Sequence, residues 1–198
     1  QCWSEPLSLP TYGGDPAHGR EVLARLAKGG VRVTRVRTSL ACAKALNEDL
    51  ALGHNKLDVD LRLFEHLLID AHRAAGKVLA ICGKIGGIKS YGTRFTQLSQ
   101  VKVQEEEARS SVYQTTQGEV RFEVSADDHH LPVGIASMVG KYVREIGMRR
   151  IIQFYRELDD RLPDASGYHD SVTTRFIDDS ASLRKRLHIV QDCFRRQK

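Results

Sequence analysis

The stretch from Lys77 to Glu107, KVLAICGKIGGIKSYGTRFTQLSQVKVQEEE, decides how the middle of the chain is organised. It begins with a short apolar run, KVLAIC, that is typical of a β-strand, and a glycine-rich turn, GKIGGIK, follows. SYGTRFTQLS then predicts a helix and QVKVQEEE a second strand. Strand, helix and strand in this order predict a crossover that places two parallel strands in one sheet.

The flanking segments add further elements. SSVYQTT and EVRFEVS, separated by QG, predict a β-hairpin, and VRVTRVR alternates like a half-buried strand. REVLARLAKGG predicts a short helix closed by glycines. Apolar spacing predicts a helix over Lys56–Ala75, with Asn55 as its N-cap and Gly76 as its stop, and a long helix from about Leu131 to Leu158. One or two basic C-terminal helices follow. We therefore predict an α/β fold.

The composition is that of an ordinary globular protein. Of the 198 residues, 41% are hydrophobic and 28% are charged, and no apolar run approaches the roughly 18 residues of a membrane span. The formal charge of +5 permits an anionic partner but favours nucleic acid only weakly. Cys2, Cys42, Cys82 and Cys193 lack the spacing of a zinc site. They predict free thiols in a reducing cytoplasm, and no signal peptide is evident.

The chain has a length suited to one domain with a tail. Residues 1–19 hold three of the five prolines and predict an extended lead-in. Residues 20–178 are predicted to form the domain, and residues 179–198 a basic C-terminal helix or tail. The first residue, Gln1, indicates a fragment or a processed chain.

A polar stripe runs along the long predicted helix, and two carboxylates, Asp127 and Asp128, precede it. At 100° per residue the stripe covers an arc of about 100°, with apolar residues on most of the other side. The stripe consists of Ser137, Lys141, Arg144 and Glu145. One interpretation is a solvated face with Asp127 or Asp128 near the N-cap. The other is that Asp127 binds a divalent metal while Ser137, Lys141 and Arg144 approach a phosphate backbone.

Three segments resemble those of a known family. Ala126–Ser137, ADDHHLPVGIAS, is similar to the stretch of type 2 ribonucleases H (ribonuclease HII) that reads Ala-Asp, nine variable residues and Ser, followed by Lys, Arg and an acidic residue. Ser166–Ile177, SGYHDSVTTRFI, resembles the family signature Ser-Gly-Tyr-x-x-Asp-x-x-Thr, with one residue fewer between Tyr168 and Asp170. Val78–Glu106 resembles the family's central strand, in which apolar residues precede Asp, two residues, Gly and a downstream Tyr.

The resemblance implies a ribonuclease H-like mixed sheet with flanking helices, here with added C-terminal helices. It implies cleavage of the RNA strand of RNA–DNA hybrids with Mg²⁺ or Mn²⁺. Asp127 is implied as catalytic residue and metal ligand, and Ser137, Lys141, Arg144 and Tyr168 as substrate-binding residues. In the family the tyrosine packs against the sugar at the RNA–DNA junction. From the residues alone, Tyr168 could equally be a half-buried turn tyrosine, and Lys141 and Arg144 surface charges.

The chain departs from the family in its acidic residues. The family's opening Asp-Glu-Ala-Gly-Arg-Gly has no counterpart before Val31, and Cys82 or Gly83 stands where an acid ends the central strand. Of four family acids, only Asp127 carries over. Two hard cations need several converging carboxylates, so we expect weak Mg²⁺ or Mn²⁺ binding and little or no nuclease activity from this chain alone. It is then either part of a longer enzyme, with an N-terminal segment missing, or a decayed member.

Other polar residues leave alternatives open. Glu105–Glu107 predict a solvated strand edge, or a replacement for a lost metal ligand. His129 and His130 are interpreted as polar residues of a first helical turn, and a histidine that shuttles protons to the leaving group is the weaker alternative. Ser110 and Ser111 have no base placed near them by a recognisable motif. Two functions follow: a ribonuclease HII-like endonuclease domain acting on RNA in hybrids, or a catalytically inactive nucleic-acid-binding or protein-interaction module.

Overall fold

A computed structural model of the chain describes residues 7–197, so Cys2 and the first part of the predicted lead-in lie outside the described residues. The helices are α1 Pro16–Lys28, α2 Ala43–Ala51, α3 Lys56–Ala75, α4 Ala126–His129, α5 Leu131–Leu158, α6 Ser171–Asp179, α7 Ala181–Arg186 and α8 Gln191–Phe194. The strands are β1 Val78–Gly83, β2 Lys102–Glu106, β3 Ser110–Thr115 and β4 Gly118–Glu123. The protein has a mixed α/β fold, as predicted.

The four strands form one mixed sheet in the order β1-β4-β3-β2. β3 and β4 make the predicted antiparallel hairpin, and β2 lies antiparallel to β3. β1 runs parallel to β4, with Ala80 opposite Val120. The predicted crossover between β1 and β2 is therefore wrong, because the parallel partner of β1 is the second strand of the hairpin.

The segment between β1 and β2 is also not the predicted helix. Only Gly92–Arg94 forms a single 3₁₀ turn. Tyr91 is buried in the core, and the backbone N–H groups of residues 96–98 donate to the carboxylate of Glu65 on α3. These interactions give the N–H groups of residues 96–98 hydrogen-bond acceptors and hold Tyr91 in the core. These N–H groups therefore need no helical hydrogen bonds.

A hydrophobic core lies between α3 and one face of the sheet. It combines Leu61 and Leu68 of α3 with Tyr113, Val120 and Phe122 of the hairpin. Alternate residues of β4 are buried, as the period of two requires. At the start of α3, Asn55 and Asp58 form a capping box, which confirms the predicted N-cap. Packing of α3 against the sheet holds β1 and β4 in place.

The VRVTRVR segment is not a strand. Within residues 7–197 it pairs with no strand of the sheet, and residues 31–40 are all exposed. Alternation predicts a strand only where a neighbouring strand supplies hydrogen-bond partners. α1, upstream, begins at Pro16, inside the segment predicted to be extended, because Asp15 caps it by accepting from Ala17 N at 2.8 Å.

The chain divides into two compact units. The helical unit comprises residues 1–38 and 141–189, and the sheet unit comprises residues 39–140 and 190–198. The division falls within α5, between Gly140 and Lys141. Along the chain from residue 7 to residue 197, no helix combines the length and apolar character that crossing a membrane requires.

Candidate functional site

The predicted site residues fall in both units. Asp127 and Ser137 belong to the sheet unit, and Lys141, Arg144 and Tyr168 belong to the helical unit. The structure brings two of the five into contact, because the Arg144 guanidinium carbon lies 3.7 Å from the centroid of the Tyr168 ring. These two residues come from different sequence motifs, so tertiary structure, and not local spacing, joins them.

The contact between Arg144 and Tyr168 is a cation–π pair that remains open to solvent. Tyr168 is 52% exposed. Arg144 also donates to Glu145 Oε1 at 2.7 Å, so part of its charge is neutralised within the stripe. An exposed ring with a guanidinium held over it offers a surface on which a base or sugar can stack.

The SGYHD loop holds Tyr168 through hydrogen bonds that do not involve its ring. Asp170 Oδ1 accepts from Thr173 N at 2.7 Å, which caps α6, and Asp170 Oδ2 accepts from Ser166 Oγ at 2.7 Å. The same Ser166 oxygen accepts from Tyr168 N at 3.1 Å, and Gly167 N donates to Thr173 Oγ1. The bonds from Thr173 and Ser166 hold the pKa of Asp170 below its usual range.

Gly167 allows this loop to lie against α5. Its φ is +73°, and a Cβ built there would lie 2.3 Å from Met148 Cε. Met148 is one helical turn beyond Arg144, so the close approach of Gly167 and the stacking of Tyr168 involve the same stretch of α5. A side chain at position 167 would displace that contact.

The carboxylates Asp127 and Asp128 lie in α4, a separate turn from which only His130 separates α5, so they are near the start of α5. Ser125 precedes the turn at φ +54°, and His130 ends it in an extended conformation, which separates α4 from α5. Both carboxylates are exposed. α4 contacts β1. No hydrogen bond or ion pair of the described residues links Asp127 to Ser137.

His130 has a structural partner that sequence reasoning missed. Its Nε2 lies 2.8 Å from Glu123 Oε2, and both side chains are partly buried. The pair joins the last residue of β4 to the end of α4, so His130 is not a simple first-turn polar residue. The spacing of seven residues across a strand end gives no sequence signal for this contact.

The glutamates of β2 and the following turn divide into two kinds. Glu105 and Glu107 are exposed, as a solvated edge predicts, whereas Glu106 is half-buried. Glu106 accepts from Tyr113 OH at 2.6 Å and from Ser90 Oγ at 2.7 Å, and these bonds lower its pKa. Its carboxylate is therefore engaged in holding the core.

The residues present do not fit a two-metal site. Within the described part of the chain, no three His, Cys, Asp or Glu side chains are grouped so as to hold a metal ion. Cys82, which stands where the family has an acid, is a free thiol whose pKa burial raises to about 12. It is neutral near pH 7, so it does not replace a carboxylate.

Lys84 is a further residue that the sequence did not reveal. Its Nζ lies 3.0 Å from Ser111 Oγ and 2.6 Å from the Glu107 carbonyl oxygen, and burial lowers its pKa. Lys84 donates to the Ser111 hydroxyl, so this contact does not supply a base. Ser111 is also fully buried and its hydroxyl donates to the Lys89 carbonyl at 2.6 Å, so it is not available as a nucleophile.

Comparison with known proteins returned no relative. No protein-family model, no curated protein and no solved structure matches the chain.

Proposed function

We propose that the chain is a ribonuclease H-like domain that binds RNA–DNA hybrid and does not hydrolyse it by itself. The observation that supports this best is the stacking of Arg144 on the exposed ring of Tyr168. Both residues are implied as substrate-binding by separate segments of the ribonuclease HII resemblance. Contact between them is what a shared binding surface requires.

The charge distribution supports an anionic partner on the same unit. The helical unit contains sixteen Lys and Arg against eleven Asp and Glu, whereas the sheet unit contains fourteen of each. The entire formal excess of +5 therefore belongs to the unit that carries Lys141, Arg144 and Tyr168. Phosphate neutralisation by such residues supplies most of the sequence-independent affinity for nucleic acid.

The acidic residues support binding without turnover. Asp127 is the proposed metal ligand and the proposed catalytic residue, but Glu106 is engaged with Tyr113, and Cys82 is neutral. Hydrolysis of RNA in a hybrid with Mg²⁺ or Mn²⁺ would need further carboxylates, which we propose an additional N-terminal segment would supply. Metal binding by this chain alone is then weak.

Fluorescence anisotropy with a labelled RNA–DNA hybrid tests the binding proposal. Tyr168→Ala is expected to weaken binding about tenfold and Tyr168→Phe to retain it, because the ring supplies the stacking energy. Leu158→Ala, which removes another exposed apolar side chain of the helical unit, is the matched control. No binding by the wild-type chain, or no effect of Tyr168→Ala, would contradict the proposal.

A hydrolysis assay with Mn²⁺ tests the catalytic part. The chain alone is expected to leave the hybrid intact, and Asp127→Asn to change nothing in that assay. Addition of a segment carrying Asp-Glu-Ala-Gly-Arg-Gly is expected to permit cleavage that Asp127→Asn abolishes. If neither the chain alone nor the chain with the added segment cleaves the hybrid, the endonuclease proposal is wrong and the binding-module proposal remains. Cleavage by the chain alone would contradict its proposed inactivity.

A second candidate function, the recruitment of a partner chain, is favoured by the contrast between the two sheet edges. β2 carries Lys102 and Glu105 and a bulge between Val103 and Glu105, all of which discourage strand addition. β1 has no charged residue, exposes Leu79, and pairs along its outer edge with no described strand. We propose a second copy of the chain as its partner.

Light scattering tests this second candidate. A dimer that Leu79→Lys dissociates, and that Val103→Lys on the opposite edge does not, is the expected result. A wild-type chain that is monomeric at high concentration would contradict it.

A further inference from the structure

We infer that Tyr12 and Arg149 form a second stacking site on the helical unit, which takes an unpaired base of a nucleic-acid strand. The inference rests on the proposed nucleic-acid function and extends it from the hybrid to an adjoining single-stranded segment. Neither residue belongs to any motif that resembles a known family.

The pair repeats the arrangement of Arg144 and Tyr168. The Arg149 guanidinium carbon lies 5.4 Å from the centroid of the Tyr12 ring. Tyr12 is 65% exposed, more than the ring of Tyr168 and the most of the described aromatic side chains. The distance falls within the roughly 6 Å range of a cation–π interaction, and the exposure leaves area for a further planar group.

The Tyr12 ring is exposed on a hydrogen-bonded turn formed by Thr11–Gly14. Thr11 is buried, its N–H donates to Tyr142 OH at 3.0 Å, and its carbonyl accepts from Gly14 N at 3.3 Å. Tyr12 itself has φ +60°, which is uncommon and costly for a residue with a large side chain. The turn is thus anchored on α5 through Thr11, while the strained residue points its ring outward. Strain held without burial is typical of binding positions.

The surroundings favour an anionic ligand over an apolar one. Between Lys141 and Arg150, α5 carries four basic residues and one acidic residue, Glu145. An apolar protein partner would have to desolvate these charges. A nucleic-acid strand instead supplies phosphates for the cations and base faces for the ring, whatever its sequence.

The placement of the two arginines favours a flexible strand. Arg144 and Arg149 are five residues apart on α5, which corresponds to about 7.5 Å along the helix axis and about 140° around it. A ligand that reaches both tyrosines must therefore bend around α5. A duplex is stiff over such distances, with a persistence length of about 50 nm, whereas a single strand bends readily.

Fluorescence anisotropy with two probes tests the inference: a blunt RNA–DNA hybrid, and the same hybrid extended by a single-stranded DNA overhang. The wild-type chain is expected to bind the extended probe more tightly. Tyr12→Ala should remove that gain, by on the order of tenfold, and leave the blunt probe within about twofold of wild type. Tyr12→Phe should retain the gain, and Arg149→Ala should lose part of it.

Arg25→Ala is the matched control for charge. Arg25 is an exposed arginine of the same unit that pairs with Glu21. Its removal should reduce binding of both probes equally and slightly. Thermal unfolding of each variant is monitored by circular dichroism. An unfolding temperature close to that of the wild type shows that the fold is retained.

Each contrary outcome has one meaning. If Tyr12→Ala binds both probes as the wild type does, while Tyr168→Ala weakens hybrid binding, the second stacking site is wrong and the proposed function stands. Equal weakening of both probes by Tyr12→Ala also contradicts a single-strand site. If the wild-type chain binds neither probe, the proposed function and this inference are both wrong.

Discussion

Tyr168 owes its position to the neighbours on either side of it in sequence. Ser166 and Asp170 bind one another and the backbone around the tyrosine, and Thr173 receives the Gly167 N–H. None of these bonds uses the tyrosine hydroxyl. At the scale of single residues, the SGYHD motif therefore specifies the conformation of the loop. The exposure of the Tyr168 ring and its contact with Arg144 follow from that conformation.

Gly167→Ala is predicted to destabilise the folded chain by about 1–2 kcal/mol, because φ at this position is +73°, and the flexible end of the Met148 side chain would have to move away from the new Cβ. Hybrid binding should weaken as Tyr168 moves. Urea unfolding and anisotropy measure the two effects. Gly140→Ala is the control, since a Cβ there meets nothing within 4 Å and should stabilise α5 by about 0.5–1 kcal/mol. Equal effects of the two substitutions would contradict this account.

Glu106 predicts a pH dependence of stability. Its pKa is lower in the folded chain because Tyr113 and Ser90 donate to the carboxylate. Its contribution is therefore present above the unfolded pKa of about 4.3 and is lost as the pH falls through the folded value. Glu106→Gln should lower the urea midpoint at neutral pH, and the difference from wild type should shrink in acid. A pH-independent difference, or the same profile for the exposed Glu105→Gln, would argue against it.

At the scale of elements, a side chain of α3 organises the loop between β1 and β2. Glu65 is 1% exposed. Its Oε1 accepts from the backbone N–H groups of Thr96, Gln97 and Leu98 at 2.8–3.0 Å, and its Oε2 accepts from Thr96 Oγ1 at 3.0 Å. One carboxylate thus replaces the hydrogen bonds that a helix would have provided, which lets the loop pass over the core.

Glu65→Ala is predicted to lower the free energy of unfolding by about 3 kcal/mol or more, because three buried or partly buried N–H groups lose a charged acceptor. Glu65→Gln should cost less, since one amide oxygen can still accept. His66→Ala provides the control, because His66 is exposed and its ring hydrogen-bonds the side chain of Gln97. Urea denaturation gives all three values; a loss below about 1 kcal/mol for Glu65→Ala would refute the role.

At the scale of the whole molecule, charge is divided unevenly between the units. The sheet unit has equal numbers of acidic and basic residues, and the helical unit has the whole excess. The proposed long-range attraction of a polyanion therefore rests on the helical unit. A net charge taken over the full chain conceals this division.

Lys141→Ala is predicted to reduce the slope of log Kobs against log salt for hybrid binding by about 1, as expected for the loss of one phosphate contact. Lys102→Ala removes the same charge from β2 in the sheet unit and should leave the slope unchanged. Anisotropy titrations over a range of salt concentrations measure both slopes. Equal reductions would indicate a diffuse charge effect and contradict a local phosphate contact.

The sequence by itself determined the elements whose signals are local. α3 follows from apolar spacing bounded by Asn55 and Gly76, the β3–β4 hairpin from two alternating runs around a glycine, and α5 from its period. In each case the hydrogen bonds are made between residues close in sequence, so composition and period are sufficient to predict them.

Only the tertiary structure decided which strand pairs with β1, that VRVTRVR lies outside the sheet, and that Arg144 meets Tyr168 while Arg149 meets Tyr12. These outcomes depend on contacts between residues far apart in the chain. The free energy of such contacts depends on burial and on neighbouring residues that are distant in sequence, so the spacing of residues along the chain does not predict them. An alternating pattern that lies outside the sheet remains exposed chain, and each arginine–tyrosine contact joins residues that only the fold brings together.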